Sequence, residues 1–351
     1  MRTIIIRADE NNINTEDMAG AGRIIKAGGL VAFPTETVYG LGGDALNPGA
    51  SRKIYAAKGR PSDNPLIVHI SRIESLYDIA DDVNGDALKL ADKFWPGPLT
   101  MIFKKKEIVP YETTGGLDTV AVRMPSNAVA AAFIEAAGGF IAAPSANLSG
   151  RPSPTSASHV IEDMEGRIDM IIDGGSSVIG LESTIVDMTD EVPMILRPGY
   201  ITGRMIEDTI GRVAYDPAVF CEGPSDTPPR APGMRYRHYA PKGDLTIVKG
   251  EKEAVVKYIR EALADGHKRG LKVAILAAGA KGDEYPEADF LPDIGSREDE
   301  DSIARSLYGV LRQCDEEEID LIYSEDFSTP RMGTAIMNRL IKAAGHKLVE
   351  V

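Results

Sequence analysis

Short apolar runs alternate with helix-like stretches over roughly the first 210 residues of the chain. Residues 15–27 have apolar positions at helical spacing and end at Gly28-Gly29, a strong helix-stop signal. Asn47-Pro48 places an N-cap residue before a proline at the first helical position, and predicts a helix to about Lys58. Ser126 is the predicted cap of an alanine-rich helix to Ala137. The other predicted elements are a helix over 86–94 and strands over 30–33, 66–70, 99–103, 120–124, 140–143, 169–172, 183–188 and 194–196.

This order of elements predicts an α/β or α+β domain with a mixed sheet, because the crossovers between strands differ in length. The pattern breaks in a segment rich in Pro and Gly, which we interpret as a linker. Strands over 245–248, 272–276 and 321–323 then alternate with helices over about 251–264, 300–314 and 332–344, as in Rossmann-like domains. The predicted organisation is a first domain over 1–212, a linker over 213–243 and a smaller second domain over 244–351. The second domain has neither a G-x-G-x-x-G motif nor a Walker loop, so no nucleotide is assigned to it.

The composition narrows the possible classes of function. The chain has 351 residues, of which 43% are hydrophobic and 26% are charged, as in folded proteins of about two domains. Its net charge of -14 argues against a surface that holds nucleic acid through many phosphate contacts. Cys221 and Cys314 fit no metal or redox spacing, and the beginning of the chain has no apolar run long enough for a signal peptide. We therefore expect a cytoplasmic protein.

Four clusters in the first domain combine cationic side chains, hydroxyls and amides near strand ends. The segment PTETVYGLG, residues 34–42, crowds hydroxyls, a carboxylate, an aromatic ring and glycines directly after a predicted strand. KGRPSDNPLIVH and APSANLSGRPSPT are the second and third clusters. Thr119 and Arg123 form the fourth, and they share one face of a strand because side chains alternate along it. Ser183 in LESTIVD and Arg197 in LRPG are single candidates.

Each of these residues has an ordinary structural explanation when it is taken alone. A Lys or Arg at a helix end is usually solvated or bonded to the last carbonyls, and His69 on an apolar strand fits a hydrogen-bonded core residue. Together, several cations and neutral donors without a matching carboxylate cluster predict a site for an anion with several oxygens. Phosphoryl or nucleotidyl transfer depends on positioning and electrostatic stabilisation rather than on a protein nucleophile, and these residue types suit it.

The motifs PTETVYGLG, KGRPSDNPLIVH, FWPGPLT, APSANLSGRPSPT and the pair ESTIVD and LRPG, in this order, resemble the YrdC-like family of threonylcarbamoyl-AMP synthases. APGMRYRHYAP and the Rossmann-like tail resemble the longer, two-domain form, so the match spans essentially the whole chain. The resemblance implies a catalytic first domain with a twisted, mixed and largely antiparallel sheet that has a concave face. It also implies condensation of ATP, L-threonine and bicarbonate into L-threonylcarbamoyl-AMP, with release of pyrophosphate. A separate transferase complex then uses this product to modify tRNA.

The resemblance further implies roles for individual residues. It places Lys58, Arg60, Ser145 and Asn147 at the catalytic centre, with Asn147 holding the phosphates or their Mg²⁺. The residues implied on ATP are Lys58, Arg60, Asn64, Thr119, Ser145, Ser153, Arg197 and Tyr236. The residues implied on L-threonine are Thr35, His69, Arg123, Ala143 and Ser183. Shorter relatives often have Thr in place of Ala143, which leaves a backbone contact there. Mg²⁺ is expected with ATP, and no protein side chain is assigned to it directly.

The linker is expected to cover the site, because the run RYRHY over 235–239 is too basic and aromatic for an inert connection. Two other functions remain open at this stage. One is a non-catalytic module that binds double-stranded RNA or tRNA, against which the acidic charge and the lack of stacking aromatics weigh. The other is a carbamoyltransferase-type enzyme, which would need partner domains including zinc fingers that two cysteines cannot form. Neither stable direct binding of tRNA nor contact with a membrane is expected.

Overall fold

The computed structural model describes residues 2–220, 230–231, 238–279 and 284–351. Within these ranges the chain forms two compact units. The larger unit contains the described residues of 1–149 and 153–236, and the smaller unit contains those of 150–152 and 237–351. Because residues 150–152 lie in the middle of APSANLSGRPSPT, this one motif has residues in both units.

The described elements of the larger unit form a sheet of twelve strands with its helices. The helices are α1 (Thr15–Lys26), α2 (Pro48–Lys58), α3 (Leu76–Ile79), α4 (Gly85–Phe94), α5 (Tyr111–Thr114), α6 (Ala128–Ala137), α7 (Ala157–Met164) and α8 (Gly203–Ile210). The strands are β1 (Ile4–Arg7), β2 (Val31–Phe33), β3 (Gly40–Asp44), β4 (Ile67–His69), β5 (Ala80–Asp81), β6 (Leu99–Lys105), β7 (Thr119–Arg123), β8 (Ile141–Ala143), β9 (Met170–Asp173), β10 (Thr184–Asp187), β11 (Met194–Arg197) and β12 (Ala214–Tyr215).

The strand order is β1-β9-β2-β3-β8-β4-β7-β6-β10-β11-β12, and β5 pairs with β6. Six of the pairings are antiparallel. Five are parallel. The predicted mixed sheet is therefore confirmed, and antiparallel pairs outnumber parallel ones only narrowly.

The glycines of PTETVYGLG form a strand, whereas the sequence interpretation placed them in a loop. β3 begins at Gly40 and pairs antiparallel with β2, so the loop spans only residues 34–39. A Cβ on Gly40 would lie 2.9 Å from the ring of Phe33, and a Cβ on Gly42 would lie 2.9 Å from the side chain of Ile141. Glycine is needed here because neighbouring side chains already fill the space beside the strand.

The helix ends agree with the predicted signals except at α6. Asn47 caps α2 as predicted, because its Oδ1 accepts the Gly49 N–H at 2.8 Å. The predicted cap of α6 was wrong: Asn127, and not Ser126, accepts the Ala130 N–H at 2.9 Å. Both residue types are good N-caps, so the choice depends on where the first helical turn starts, and Asn127 has the extended backbone of a cap.

Two hydrophobic cores cover the sheet of the larger unit. One contains residues from α2, α4, α7 and α8. The other packs α1 and α6 against β2, and the two helices approach so closely that a Cβ on Gly22 would lie 2.4 Å from Ala136 O. Along β2, Val31 and Phe33 enter one core while Ala32 enters the other. Burial on both faces explains why this strand is a continuous apolar run.

The smaller unit is a parallel α/β fold, which confirms the Rossmann-like prediction. Its described elements are β13 (Asp244–Lys249), α9 (Lys252–Lys268), β14 (Val273–Leu276), α10 (Glu300–Glu316), β15 (Leu321–Glu325), α11 (Gly333–Ala343) and β16 (Leu348–Glu350). The strand order is β14-β15-β13-β16, and every pairing is parallel. The short strand β16 was missed from the sequence. In the described ranges of both units, no helix combines the length and apolar character needed to cross a lipid bilayer.

A cavity of about 480 Å³ opens at the carboxyl ends of β13 and β15 in the smaller unit. Two cations line it, and both are paired. Lys252 Nζ lies 2.8 Å from a carboxylate oxygen of Glu284, and Arg297 Nη2 lies 3.0 Å from a carboxylate oxygen of Glu325. The two positive charges of this cavity are therefore balanced by neighbouring carboxylates.

Candidate active site

Lys58, the last residue of α2, is buried and connects two of the sequence motifs. Its Nζ donates to the carbonyl oxygens of Ser145 and Asn147, each at 2.5 Å, and to Asn147 Oδ1 at 3.3 Å. The Ser145 hydroxyl donates to the same Oδ1 at 2.6 Å. The Ser149 N–H donates to Lys58 O at 2.9 Å. Three of the four residues predicted at the catalytic centre are therefore in direct contact.

Backbone hydrogen bonds join the loop over 34–39 to the same motif. The Tyr39 N–H donates to Pro154 O, and the Ala146 N–H donates to Tyr39 O, both at 2.8 Å. Gly40 forms a β-bridge with Ser145. The Tyr39 side chain is buried, and this burial raises the pKa of its hydroxyl. Two motifs far apart in the sequence thus form one local structure.

Arg60 and Asn64 lie between α2 and β4. Arg60 Nη2 donates to the carbonyl oxygens of Asn64 and Pro65 at 3.4 and 3.3 Å. Asn64 is 1% exposed, and neither Oδ1 nor Nδ2 of its side chain has a hydrogen-bond partner within the part of the chain that the structure describes. Because an unsatisfied buried polar group costs about 1–3 kcal/mol, we infer that this amide is kept for a ligand.

A row of buried polar side chains runs across β4, β7 and β6, the residue just before β10, and β11. His69 lies opposite Arg123, and Arg123 lies opposite Thr100, so these side chains share one side of the sheet. The hydroxyls of Thr100 and Ser183 are 2.7 Å apart. Arg197 donates to Ser183 O at 3.1 Å and to Ser183 Oγ at 3.2 Å. Four of the predicted site residues therefore stand in one line across the sheet, and Thr100 joins them although the sequence did not single it out.

One buried carboxylate pairs with a cation of this row and a second is bonded to a predicted site hydroxyl, although the sequence interpretation found no carboxylate cluster to match the cations. Glu36 Oε1 lies 2.8 Å from Arg123 Nη2, with the two side chains 10% and 5% exposed. Glu182 Oε1 accepts the Ser153 hydroxyl at 2.5 Å. Both glutamates stand inside the quoted motifs, but a single Glu in a sequence has no local signal that separates a buried pair from a solvated side chain.

His69 is neutral in the folded protein at ordinary pH. Its ring meets Phe33 edge-on, with the centroids 5.8 Å apart, and its Nδ1 lies 3.1 Å from Ile67 O. Burial, with the neighbouring charge of Arg123, lowers the pKa of His69 to about 3. A neutral imidazole can hydrogen-bond a ligand without adding to the positive charge of the row.

This depressed pKa predicts that the larger unit loses stability as the pH falls below about 6.5. Between that value and a pH of about 3, the unfolded chain binds a proton at His69 and the folded chain does not. Each drop of one pH unit in this range therefore lowers the free energy of unfolding by on the order of 1 kcal/mol. Urea unfolding of the wild type and of His69→Gln at about pH 7 and about pH 5 measures the effect. We expect the drop to be smaller in the variant by about 2 kcal/mol. An equal drop in the free energy of unfolding in both proteins would contradict a neutral His69 in the folded state.

The other predicted residues of the larger unit have ordinary structural contacts. Thr35 Oγ1 donates to Val38 O at 2.6 Å and lies 2.9 Å from Thr37 Oγ1, so it closes the turn of its own loop. Ala143 is buried in β8, and Thr119 is partly exposed at the start of β7. The binding roles implied for these residues stay predictions.

The linker is described only in part. Residues 235–237, which include the predicted ATP contact Tyr236, lie outside the described residues. His238 and Tyr239 belong to the smaller unit, where the Tyr239 ring stacks on Tyr308 with the centroids 5.2 Å apart. The described end of the basic and aromatic run is therefore packed within the smaller unit.

Two protein-family models match the chain. The model of the Sua5, YciO and YrdC proteins, described as telomere recombination, matches residues 23–199. The model described as threonylcarbamoyl-AMP synthase, C-terminal domain, matches residues 201–345. The chain belongs to the Sua5/YciO/YrdC family, in the two-domain form that carries this C-terminal domain. The family resemblance inferred from the motifs is thereby confirmed.

Individual relatives agree with this assignment. A protein of Pyrococcus abyssi is 46% identical over 349 residues, which cover 99% of this chain and 100% of the relative. A protein of Bacillus subtilis is 45% identical over 344 residues, which cover 97% of this chain and 96% of the relative. Both are named threonylcarbamoyl-AMP synthase.

Solved structures resemble the whole chain or its first part. The crystal structure of Pyrococcus abyssi Sua5 complexed with L-threonine has a TM-score of 0.94 at 46% identity, and the match covers 99% of this chain and 100% of that one. The crystal structure of Escherichia coli YciO has a TM-score of 0.51 at 25% identity, covering 56% of this chain and 96% of that one. The predicted YrdC-like fold with a separate smaller domain is confirmed.

Proposed function

We propose that this protein is an L-threonylcarbamoyl-AMP synthase, which condenses ATP, L-threonine and bicarbonate and releases pyrophosphate. Relatives of that name that are 45% and 46% identical over nearly the whole chain support the assignment. The structural observation that carries it is the contact of buried Lys58 with Ser145 and Asn147. This contact joins the two motifs that we place on the phosphates of ATP.

The threonine amine forms an N–C bond to the carbon of bicarbonate and water leaves, which gives a carbamate. The proposed reaction then forces two anions together, since the carboxylate of this carbamate must attack the α-phosphate. A carbamate oxygen–phosphorus bond forms, the bond to the bridging oxygen breaks, and pyrophosphate leaves with its electron pair. Like unit charges about 4 Å apart repel by roughly 4 kcal/mol at an effective dielectric constant of about 20. Lys58, Arg60 and Arg197 would offset this repulsion and stabilise the charge that develops in the transition state. No protein nucleophile is required.

L-threonine would bind beside the pair of Glu36 and Arg123. An amino acid presents a carboxylate and an amino group, and the pair offers a cation to the first and an acceptor to the second. Apart from the ion pair with Arg123, neither carboxylate oxygen of Glu36 has a hydrogen-bond partner among the described residues. The neutral His69 lies opposite Arg123 and adds no positive charge beside this pair. The Pyrococcus abyssi relative has been crystallised with L-threonine, which supports an amino-acid site in this family.

ATP would enter as its Mg²⁺ complex, because Mg²⁺ commonly binds through substrate phosphates and retained waters. Ser145 and Asn147 bring neutral oxygens to the phosphate side. In the described ranges, no group of three or more His, Cys, Asp or Glu side chains is arranged to hold a metal ion by itself. We further propose a cytoplasmic protein whose product passes to a tRNA threonylcarbamoyl transferase complex, without a stable complex between this chain and tRNA.

The test of the proposed function is direct synthesis. The purified chain is incubated with ATP, L-threonine and labelled bicarbonate, and labelled threonylcarbamoyl-AMP is separated and counted. Product should depend on threonine and appear in step with pyrophosphate. Strong tRNA binding with steep salt dependence, and no labelled adenylate, would favour the RNA-binding alternative instead.

Asn64→Ala should separate ATP binding from stability. Removing a side-chain amide that has no hydrogen-bond partner among the described residues should leave thermal stability unchanged or slightly higher. Affinity for ATP should fall about tenfold or more, because a hydrogen bond to a charged ligand is worth about 1.5–3 kcal/mol. Calorimetric titration with a non-hydrolysable ATP analogue measures the affinity. Asn11→Ala, at an exposed surface amide, is the matched control and should bind as the wild type does. A clear loss of stability with unchanged ATP binding would mean that Asn64 is structural.

A further inference from the structure

Three residues in the middle of the candidate ATP motif belong to the smaller unit. Gly150, Arg151 and Pro152 group with that unit, whereas Ser149 before them and Ser153 after them group with the larger one. The peptide chain therefore transmits any displacement of the tripeptide to both serines. Ser149 is itself bonded to the backbone of Lys58, the residue at the centre of the site.

Arg312 on α10 holds the last residue of the tripeptide. Its Nη2 donates to Pro152 O at 2.7 Å, and the residue is 1% exposed. Burying a guanidinium raises the free energy of the folded state unless hydrogen bonds replace those lost to water. An apolar side chain of similar volume could be buried without this desolvation cost. The carbonyl that it binds directly precedes Ser153. Arg312 thus sets the orientation of the peptide plane that leads into a predicted ATP contact.

Asp315 lies one helical turn after Arg312 and contacts Arg151 directly. It also binds the end of the linker, which in turn binds Gly150. Its carboxylate lies 3.8 Å from the Arg151 guanidinium and accepts the Lys242 N–H at 2.6 Å. The Ala240 N–H donates to Gly150 O at 2.8 Å. Asp315 is buried, so these contacts are shielded from water and fix the tripeptide at both ends.

We propose that Arg312 and Asp315 are positioning residues, through which the smaller unit sets the geometry of the ATP-binding motif. When residues 150–152 are held in place, the positions of the residues on either side are fixed as well. These are Ser153 after the tripeptide and Ser149 before it, and Ser149 is hydrogen-bonded to Lys58. The effect on the reaction passes along the peptide chain from residues 150–152 to their neighbours. The identity of the ligand rests on the proposed function, whereas the mechanical link does not.

Arg312→Met is the central test, with Arg312→Lys as its conservative partner. We expect the KM for ATP to rise about tenfold in Arg312→Met, as for one lost hydrogen bond from a charged donor. L-threonine affinity, measured by calorimetry, should stay within about twofold, because the row from His69 to Arg197 is untouched. Arg312→Lys keeps one charged donor and should recover part of the ATP affinity. Hydrogen exchange over residues 148–153 should be faster in Arg312→Met than in the wild type.

Leu263→Ala is the matched control, because it opens a cavity in the core of the same unit away from the tripeptide. It should destabilise the smaller unit and leave the KM for ATP within about twofold. The proposal is overturned if folded Arg312→Met shows normal exchange over 148–153, or if Leu263→Ala raises the KM for ATP as much as Arg312→Met does. If the wild type makes no adenylate, the proposed function fails. The exchange result and binding of the ATP analogue then decide the positioning role by themselves.

Discussion

Lys58→Ala should lower threonine-dependent release of pyrophosphate by about a hundredfold or more, the range for removing one donor from a transition state. The ammonium group is buried and donates to Ser145 O, Asn147 O and Asn147 Oδ1. Its loss removes a positive charge from the side of the site that we propose for the phosphates. It also removes the hydrogen bonds that hold the motif of Ser145 and Asn147 in place. The substitution therefore changes both the charge and the geometry of the candidate site.

The matched control is Lys53→Ala, in the same helix α2. Lys53 is exposed and donates to Gly28 O at 2.5 Å, away from the motif of Ser145. We expect its turnover to stay within about twofold, since isolated surface contacts contribute little. Thermal unfolding of both variants shows whether the loss reflects the active site or a misfolded chain. A loss of less than about threefold in folded Lys58→Ala would remove Lys58 from the catalytic centre.

Arg123→Met should destabilise the larger unit by about 3–5 kcal/mol, because it leaves Glu36 as a buried carboxylate without its cation. It should also weaken L-threonine binding by about a hundredfold or more, in the range for truncating one member of a buried charge pair. The two effects have different causes. The loss of stability comes from the unpaired buried carboxylate of Glu36, and the loss of threonine affinity comes from the missing cation. Urea unfolding measures the first effect and calorimetry with L-threonine measures the second.

The double variant Arg123→Met with Glu36→Gln separates these causes. Replacing the carboxylate by an amide should restore most of the stability, but threonine binding should stay weak. Arg72→Met is the matched surface control. Its arginine is 64% exposed and lies 3.6 Å from Glu135, so both measurements should stay close to the wild type. Normal threonine binding in the double variant would place the amino acid away from Arg123.

Most elements were predictable because their signals are local. The N-cap Asn47, the glycine stop after α1 and the apolar runs of β6 and β7 each act within a few residues of themselves. β3 was missed because its glycines are typical of a turn. They are in fact required by the ring of Phe33 and the side chain of Ile141, which come from other strands. Ser126 and Asn127 are both good N-cap residues, and choosing between them shifts the start of α6 by one residue. The local sequence does not fix the helix start that closely.

The candidate site was predictable as a set of residues but not as an arrangement. The ordered motifs pointed to Lys58, Asn64, Arg123, Ser145 and Arg197, and the family to which they pointed is confirmed. Glu36, Glu182 and Thr100 were not recognised as members of the site. An isolated glutamate or threonine has no sequence pattern that marks it as the buried partner of a distant residue.

The family, the α/β class of both units and the residue types of the candidate site could all be inferred from the order of the motifs and elements along the chain. The partners of these residues became known from the folded structure. It shows which carboxylate balances Arg123, which side chains line up between β4 and β11, and which helix contacts residues 150–152. Local elements follow from the conformational preferences of neighbouring residues. Pairing depends on strand order, register and burial, which arise only when distant parts of the chain exclude water together.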